Sequence, residues 1–481
     1  MKRYQVDVAI IGAGTAGLTA YRAAKKAGAK TLLIEAGPYG TTCARVGCMP
    51  SKLLIAAAEA AHQVADAPTF GINPGEVRID ARAVMERVRR ERDRFVGFVV
   101  EGTEQIAEGD RLRGYARFQT PTVLEVEQKG GAKVEVVAKS VVIATGSRSW
   151  IPPELEALKE EIMDNADIFE MEDLPASMAV IGPGVIGLEL GQALDRLGVE
   201  VDFFSPFSQI GPVFDPAVGA RVREVFEERL TMHLELKSYS VEKVDAGFEI
   251  SWVDKEGEQQ RKIFEKILST AGRVPNVDNL GLENAGIECN TKGVPNHDAR
   301  TTQCGNRPIF VAGDASHRHP LLHEAADEGR IAGKNAANYP EVRAHLRKVP
   351  LAIVFSDPQI AVIGGGWRER DQEAICVGEV DYRRQGRARV MNRHEGLVRI
   401  YADKNRGCLL GAEMFGPAVE HMAHLLAWAI EARLSVYDAL SMPFYHPVVE
   451  EGLRTALKDL AAKLKLAAPV KSEELRYGPG T

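Results

Sequence analysis

Two cysteines, Cys43 and Cys48, are separated by four residues in the segment Thr42-Cys43-Ala44-Arg45-Val46-Gly47-Cys48-Met49-Pro50-Ser51-Lys52. At that spacing two sulfurs can lie one helical turn apart and close a strained, reducible disulfide. A helix starting just after Cys48 would favour a thiolate there, because a helix N-terminus carries partial positive charge. Spacing alone leaves two unlinked thiols as the default. Zinc is not indicated: it usually takes four ligands in closer pairs, and Cys289, Cys304, Cys376 and Cys408 supply no second pair. Those four are expected to be buried small hydrophobes, and no metal site is expected.

Chemistry at a dithiol needs a framework, and two glycine motifs suggest one. The apolar run Val6–Ile11 leads into Gly12-Ala13-Gly14-Thr15-Ala16-Gly17, then into the helix formers of Leu18–Ala29, then into Thr31–Ile34, closed by Glu35. This reads strand, turn, helix, strand. Gly12 would allow the tight turn, Gly14 the approach of a pyrophosphate, and Gly17 close packing of helix on strand. Helix N-terminal amides would receive the phosphates. Glu35, 18 residues after Gly17, is placed to accept ribose hydroxyls. The pattern recurs at Gly182-Pro183-Gly184-Val185-Ile186-Gly187, 170 residues further on. Here the position 18 residues past the last glycine is Ser205, not an acid. Asp202 lies three residues too early, and no arginine follows before Arg221. The second motif therefore predicts a nucleotide without choosing NAD over NADP.

The rest of the chain fits two nucleotide-binding halves and a distinct tail. Helices are expected near Lys52–Ala65 and Ala81–Gln105, strands from Arg111 to Ile143 around a Gly130-Gly131 turn, and a hairpin or meander over Ser238–Thr270. A small region follows to about Lys348. From Val349 the pattern changes to strands near Leu351–Phe355, Leu397–Tyr401 and Leu409–Phe415 and a helix Val419–Ala432. The 481 residues exceed what one core serves. With 60 basic against 67 acidic residues, the mild acidity argues against nucleic acid as a partner. The arginine-rich Arg87–Arg94 is interleaved with the acidic residues Glu86, Glu91 and Asp93 and reads as a solvated helix face. The longest uncharged stretch, Leu174–Leu188, has 15 residues and two prolines, short of the roughly 18 apolar residues of a membrane span. No cleavable signal is read at the N-terminus. Six cysteines are too few for a disulfide scaffold, so a cytoplasmic setting is expected.

The cysteine segment following a GxGxxG–Glu unit resembles the redox-active segment of flavoprotein disulfide reductases, the family of dihydrolipoamide dehydrogenase, glutathione reductase and mercuric reductase. Further segments resemble that family in the same order. Val141-Val142-Ile143-Ala144-Thr145-Gly146-Ser147 is similar to the close of its first FAD-binding portion. Thr270-Ala271-Gly272-Arg273-Val274-Pro275-Asn276 is similar to its link out of the NAD domain. Ile309-Phe310-Val311-Ala312-Gly313-Asp314-Ala315 is similar to its second FAD motif, and His446-Pro447-Val448-Val449-Glu450-Glu451 to its C-terminal segment.

The resemblance implies an α/β fold: two Rossmann-like domains, for FAD and NAD, plus a C-terminal α+β dimerisation domain. It implies domains at 1–148 (FAD, first part), 149–272 (NAD(P)), 273–348 (FAD and central, second part) and 349–481 (interface). It also implies that Cys43 and Cys48 form a redox disulfide, and that His446, supported by Glu451, acts as base on the dithiol of a partner subunit. Lys52 and Glu189 match a pair beside the flavin. Thr42, Lys52, Thr145, Gly146 and Asp314 would hold FAD, and Gly182, Gly184, Gly187, Ser205 and Gly272 the pyridine nucleotide. The implied activity is oxidation of protein-bound dihydrolipoamide with NAD⁺, in a homodimer whose partner is a lipoyl-carrying protein or a small dithiol. An NADPH-linked reductase of another disulfide, which Arg22 on the first helix would meet if anionic, and a non-catalytic FAD/NAD-binding sensor remain as alternatives. Two departures stand out. Thr41 replaces the second of two usual glycines, and Ser205 the usual acid of NAD-dependent members. The tail Lys463–Thr481 carries no cysteine pair, unlike that of mercuric reductase.

Overall fold

The computed structural model describes residues 2–466; the tail beyond Leu466 lies outside the described residues. The chain divides into two compact units. One runs to Ser208 and resumes over Thr231–Arg347; the other comprises Gln209–Leu230 and the chain from Lys348.

In the first unit, the strands Lys2–Ile11, Thr31–Glu35 and Lys133–Ile143 are central to a seven-stranded sheet. Lys2–Ile11 pairs in parallel with both of the others, and Arg111–Arg113 extends the sheet beyond Thr31–Glu35. Parallel strands covered on both faces read as unbroken apolar runs, and Val8, Ala9 and Ile10 are fully buried. Lys133–Ile143 serves two partners on its other edge. Its first half pairs antiparallel with Val123–Glu127, and its last residues pair in parallel with Ile309–Val311. The Gly12 and Asp314 motifs are thereby brought to the same end of one sheet.

The second glycine motif sits on a four-stranded parallel sheet in the order Thr231–His233, Glu200–Phe204, Ser177–Ile181, Lys266–Ser269. The expected meander is the antiparallel trio Ser238–Val244, Gly247–Val253 and Gln259–Phe264. A ribbon of Ser147–Ser149 with Arg273–Pro275 links the chain leaving the two motif regions.

A helix at Leu322–Asn338 lies where the sequence suggested only a small region. It shows no simple apolar stripe, because Glu324, Asp327 and Glu328 are buried in it. Its glycines pack it against Thr15–Lys26: a Cβ at Gly329 would stand 2.2 Å from the Ala16 carbonyl oxygen. The arginine-rich helix Ala81–Glu104 also differs from expectation. Arg92 is buried and ion-paired with Glu170, and Arg89 donates to the Met171 carbonyl, so part of that face is packed rather than solvated.

The second unit is built on a five-stranded antiparallel sheet, Leu351–Val354, Gln359–Ile363, Leu409–Gly416, Leu397–Asp403 and Ile375–Asp381. The helices Val419–Glu431 and Glu451–Leu464 contribute to its core. Gln359–Ile363, Ile375–Asp381 and Glu451–Leu464 go beyond the sequence expectations. The helix Pro216–Arg229 joins this unit through fully buried Asp215, which accepts from Arg399 Nη1 at 2.6 Å and Tyr401 OH at 2.8 Å. No helix among the described residues is long and apolar enough to cross a membrane.

Candidate active site

Cys43 and Cys48 do not share one continuous helical turn. Cys43 lies in the short helix Thr42–Val46, Gly47 breaks the chain at φ −133° and ψ −118°, and Cys48 opens the next helix, Cys48–Asp66. The helix thus starts at Cys48 itself, next to the start just after Cys48 that the sequence offered and ahead of the stretch near Lys52–Ala65. Neither cysteine is disulfide-bonded. The two thiols are within hydrogen-bonding reach, with Cys43 as the donor to Cys48. That bond pushes the Cys43 thiol well above its ordinary range, with burial adding to the effect. The same bond, helped by the Lys52 charge, lowers Cys48 to about 7. A thiol donor thus faces a thiolate.

Thr41 caps the Cys43 helix, its Oγ1 accepting from Ala44 N at 3.3 Å. It does so at φ 57° and ψ 153°, a region essentially reserved for glycine. Lys52, one turn after Cys48, places Nζ 2.6 Å from Glu189 Oε2. Glu189 is buried on the helix Val185–Arg196.

A cavity of about 810 Å³ is lined by Gly12, Gly14, Glu35, Thr41, Thr42, Thr145 and Gly146, among others. A Cβ at Gly12 would meet the Ala144 carbonyl oxygen at 2.2 Å, and one at Gly17 the Gly12 oxygen at 1.8 Å. Gly14, by contrast, has no protein atom within 4 Å of where its Cβ would be. Glu35 holds the turn, its Oε2 accepting from Ala13 N at 2.6 Å and its Oε1 from Gly37 N at 2.7 Å. Thr145 Oγ1 is buried without a hydrogen-bond partner on this cavity. An open glycine face and an orphaned hydroxyl suit a polar, phosphate-bearing ligand, so these residues fit FAD. Asp314 Oδ2 accepts from Ser147 Oγ at 2.6 Å.

Cys43 faces a second cavity, of about 440 Å³, with Leu18, Met49, Phe95, Phe98, Val99 and Leu322 on its walls and Arg22 on its edge. The sequence picked out Cys43 and Arg22 but none of the apolar wall. Phe95 and Phe98, large apolar side chains exposed on a charged helix, are the local signal that points to it.

At the second motif, a Cβ at Gly187 would meet the Gly182 oxygen at 2.1 Å. Gly184 is open, and Gly272 lies beyond the Lys266–Ser269 strand with φ 152°. Ser205 is buried, and its Oγ accepts from Phe207 N at 3.0 Å. Asp202, weighed as a ribose ligand, is instead buried, accepting from Lys262 Nζ at 2.7 Å and pairing with His233 Nε2 at 3.0 Å.

In the second unit, His446 Nδ1 lies 3.1 Å from both oxygens of Glu451, which also accepts from Val448 N. The hydrogen bond from His446 holds the Glu451 carboxyl below its ordinary range. The imidazole itself is 80% exposed. Of the remaining cysteines only Cys304 is the buried hydrophobe expected. Cys289 is exposed and Cys376 and Cys408 are half-buried, because all three lie at strand edges or turns. Among the described residues no cluster of three or more ligating side chains could hold a metal.

Residues 6–329 match the family model described as pyridine nucleotide-disulphide oxidoreductase, and residues 350–457 match the dimerisation domain of the same family. A dihydrolipoyl dehydrogenase of Haloferax volcanii is 31% identical over 464 residues, covering 94% of this chain and 96% of its own. One of Thermus scotoductus is 31% identical over 96% of this chain and 98% of its own. Among solved structures, LpdA from Mycobacterium tuberculosis superposes with a TM-score of 0.79 at 24% identity, over 95% of this chain and 99% of its own. An HOCl-induced flavoprotein disulfide reductase from Escherichia coli gives 0.78 at 22% over the same shares. At those identities the structures establish the fold alone.

Proposed function

Because this chain belongs to the pyridine nucleotide-disulphide oxidoreductases, a family that binds FAD and a pyridine nucleotide, we propose that it oxidises dihydrolipoamide to lipoamide with NAD⁺ as acceptor. It is a flavoprotein disulfide oxidoreductase with Cys43–Cys48 as its redox pair, and the dimerisation domain implies a homodimer. The finer reading rests on one observation: the cavity faced by Cys43 has a wall of Leu18, Met49, Phe95, Phe98, Val99 and Leu322. Such a wall suits the hydrocarbon arm of a lipoyl group better than a charged peptide.

In this reading 1–148 and 273–348 carry FAD, 149–272 carries NAD, and 349–481 forms the subunit interface, with exposed Trp428, Leu425 and Tyr445 covered there. His446 of one subunit, its tautomer set by Glu451, takes a proton from a substrate thiol of the other. The resulting thiolate attacks Cys43, and Cys48 leaves as a thiolate. A second attack, by the other substrate thiol, closes the substrate disulfide and frees Cys43. The substrate dithiol loses two electrons and two protons; the protein disulfide becomes one thiol and one thiolate, with the remaining proton on His446. Bound FAD, held by the Gly12, Thr145 and Asp314 motifs, supplies the redox route from that thiolate to the nicotinamide. Lys52 and Glu189 place a fixed ion pair beside Cys48, and the setting proposed is the cytoplasm.

A second reading, NADPH-linked reduction of an anionic disulfide, is favoured by Arg22 on the edge of the same cavity and by the lack of an acid at Ser205. Steady-state kinetics with lipoamide and glutathione disulfide, each with NADH and NADPH, separate the two. Of the four combinations lipoamide with NADH is expected to give the highest kcat/KM, and Cys48→Ser is expected to keep flavin and lose that turnover. Preference for glutathione disulfide with NADPH, or unchanged lipoamide turnover in Cys48→Ser, defeats the first reading.

A further inference from the structure

Val46, between the two cysteines, ends the helix Thr42–Val46, so its carbonyl has no partner inside that helix. It accepts from Asn165 Nδ2 at 2.6 Å. Asn165 is only 7% exposed, and its Oδ1 accepts from Ser149 Oγ at 3.1 Å and Arg273 Nη1 at 3.2 Å. With a carbonyl on one side and two donors on the other, the amide satisfies every partner in one orientation only. Arg273 in turn donates from Nε to Ser147 Oγ at 2.9 Å and from Nη2 to the Ser147 carbonyl at 2.8 Å. Ser147 Oγ donates to Asp314. An unbroken hydrogen-bonded chain thus runs from the peptide between the cysteines, through a buried amide and a guanidinium, to the aspartate of the FAD motif.

We propose that Asn165 is a positioning residue for the Cys43–Cys48 couple: by pinning Val46 it keeps the two helices that meet at Gly47 close enough for the sulfurs to join, and through Arg273 and Ser147 it registers that loop against Asp314. Closing the disulfide requires the sulfurs to come within about 2.05 Å, while the opened pair is free to drift apart about the break at Gly47. A clamp on the intervening peptide lowers the entropy lost on closure, as any restraint that raises effective concentration does. It also keeps the Cys43 thiol where it can donate to the Cys48 thiolate. Asn165 lies 119 positions away along the chain, so the clamp exists only in the folded protein.

The test uses the holoenzyme and its Asn165→Asp and Asn165→Ala variants. Asp is nearly isosteric and keeps an acceptor for Arg273 while removing the donor to Val46, so it separates the clamp from packing. Each protein is equilibrated anaerobically in mixtures of reduced and oxidised dithiothreitol, which exchange two electrons and two protons with the cysteine pair. Free thiols are then alkylated and Cys43 and Cys48 quantified by peptide mass. The equilibrium constant for closing the disulfide is expected to fall about tenfold in both variants, equivalent to roughly 30 mV for a two-electron couple. A constant within twofold of wild type in an Asn165→Asp protein that keeps its flavin and melting temperature overturns the proposal. A residue that merely packs would lower the melting temperature and leave the constant in place. The inference rests on the redox pair and not on the substrate, so failure to turn over dihydrolipoamide leaves this measurement readable.

Discussion

Lys52 Nζ stands 2.6 Å from Glu189 Oε2, so the helix that begins at Cys48 is tied to the helix that begins at Val185. The lysine is about a third exposed and the glutamate almost wholly buried. Removing the cation takes the ion-pair partner from a buried carboxylate, which costs more than the pair itself contributes. Lys52→Met is expected to destabilise the protein by about 1–3 kcal/mol, less than a fully buried pair because solvent screens the lysine. Adding Glu189→Gln should restore most of that loss. Urea unfolding of wild type, both singles and the double closes the cycle; a double mutant no more stable than Lys52→Met shows that Lys52 is not there to support Glu189.

Cys43 donates its proton to Cys48, and the reduced protein should show it in its reactivity with pH. The folded pair gives up its first proton at about 7, where an ordinary thiol waits until about 8.5. The thiolate fraction grows as pH rises through that value, so iodoacetamide labelling of the reduced enzyme should climb with a midpoint near 7. That midpoint is a property of the pair. Cys43→Ala removes the donor and should move the labelling of Cys48 to higher pH. An unmoved midpoint would mean that Lys52 and the helix end hold the thiolate unaided.

Gly14 and Gly17 make opposite demands on space. A methyl at Gly17 would collide with the Gly12 carbonyl 1.8 Å away, so Gly17→Ala should push helix from strand and cost roughly 1–3 kcal/mol or more. A methyl at Gly14 meets no protein atom within 4 Å. Gly14→Ala should fold with the melting temperature of flavin-free wild type yet bind FAD at least tenfold more weakly, if the pyrophosphate crosses this open glycine face as proposed. Flavin fluorescence titration of the two apoproteins decides. Wild-type affinity in Gly14→Ala would place the pyrophosphate elsewhere.

Thr41 occupies a backbone region that suits glycine, at φ 57° and ψ 153°. Strain of this kind costs of order 1–3 kcal/mol, while the cap it makes to Ala44 loses only a few tenths when Gly replaces it. Allowing for the extra unfolded-state entropy of glycine, Thr41→Gly should raise stability by about 1 kcal/mol. Thr41 also lines both the Cys43 cavity and the Gly12 cavity, so substrate KM and flavin affinity are both to be measured. A destabilised Thr41→Gly would mean that the hydroxyl cap outweighs the strain.

Much of the site was legible because it is local. The turns at Gly12 and Gly182 depend on which residues tolerate positive φ and a carbonyl two or three ångströms away, and such constraints are written within six consecutive positions. The approach of His446 to Glu451 is likewise local, spanning a single turn into the helix Glu451–Leu464. The helix Leu322–Asn338 was not legible: its buried face is mostly alanine, glycine, three acids and Asn335, with Ile331 as its one large apolar side chain. Small residues at Ala325, Ala332 and Ala336 and acids between them mask its period, because the helix packs mainly through backbone proximity rather than large side chains.

By itself, then, the order of residues determined where the chain turns, where the two sulfurs stand relative to one another along it, and which family of reactions they serve. Folding alone decided the partners. Asn165 reaches Val46 across 119 positions and Lys52 reaches Glu189 across 137. Asp202, in register beside strands that pair only in the folded sheet, is claimed by His233 and Lys262 instead of a ribose. A short-range turn is set by the sterics of a few dihedral angles. A buried polar pair exists only after sheets and helices have closed around it and removed the water that would otherwise satisfy both groups.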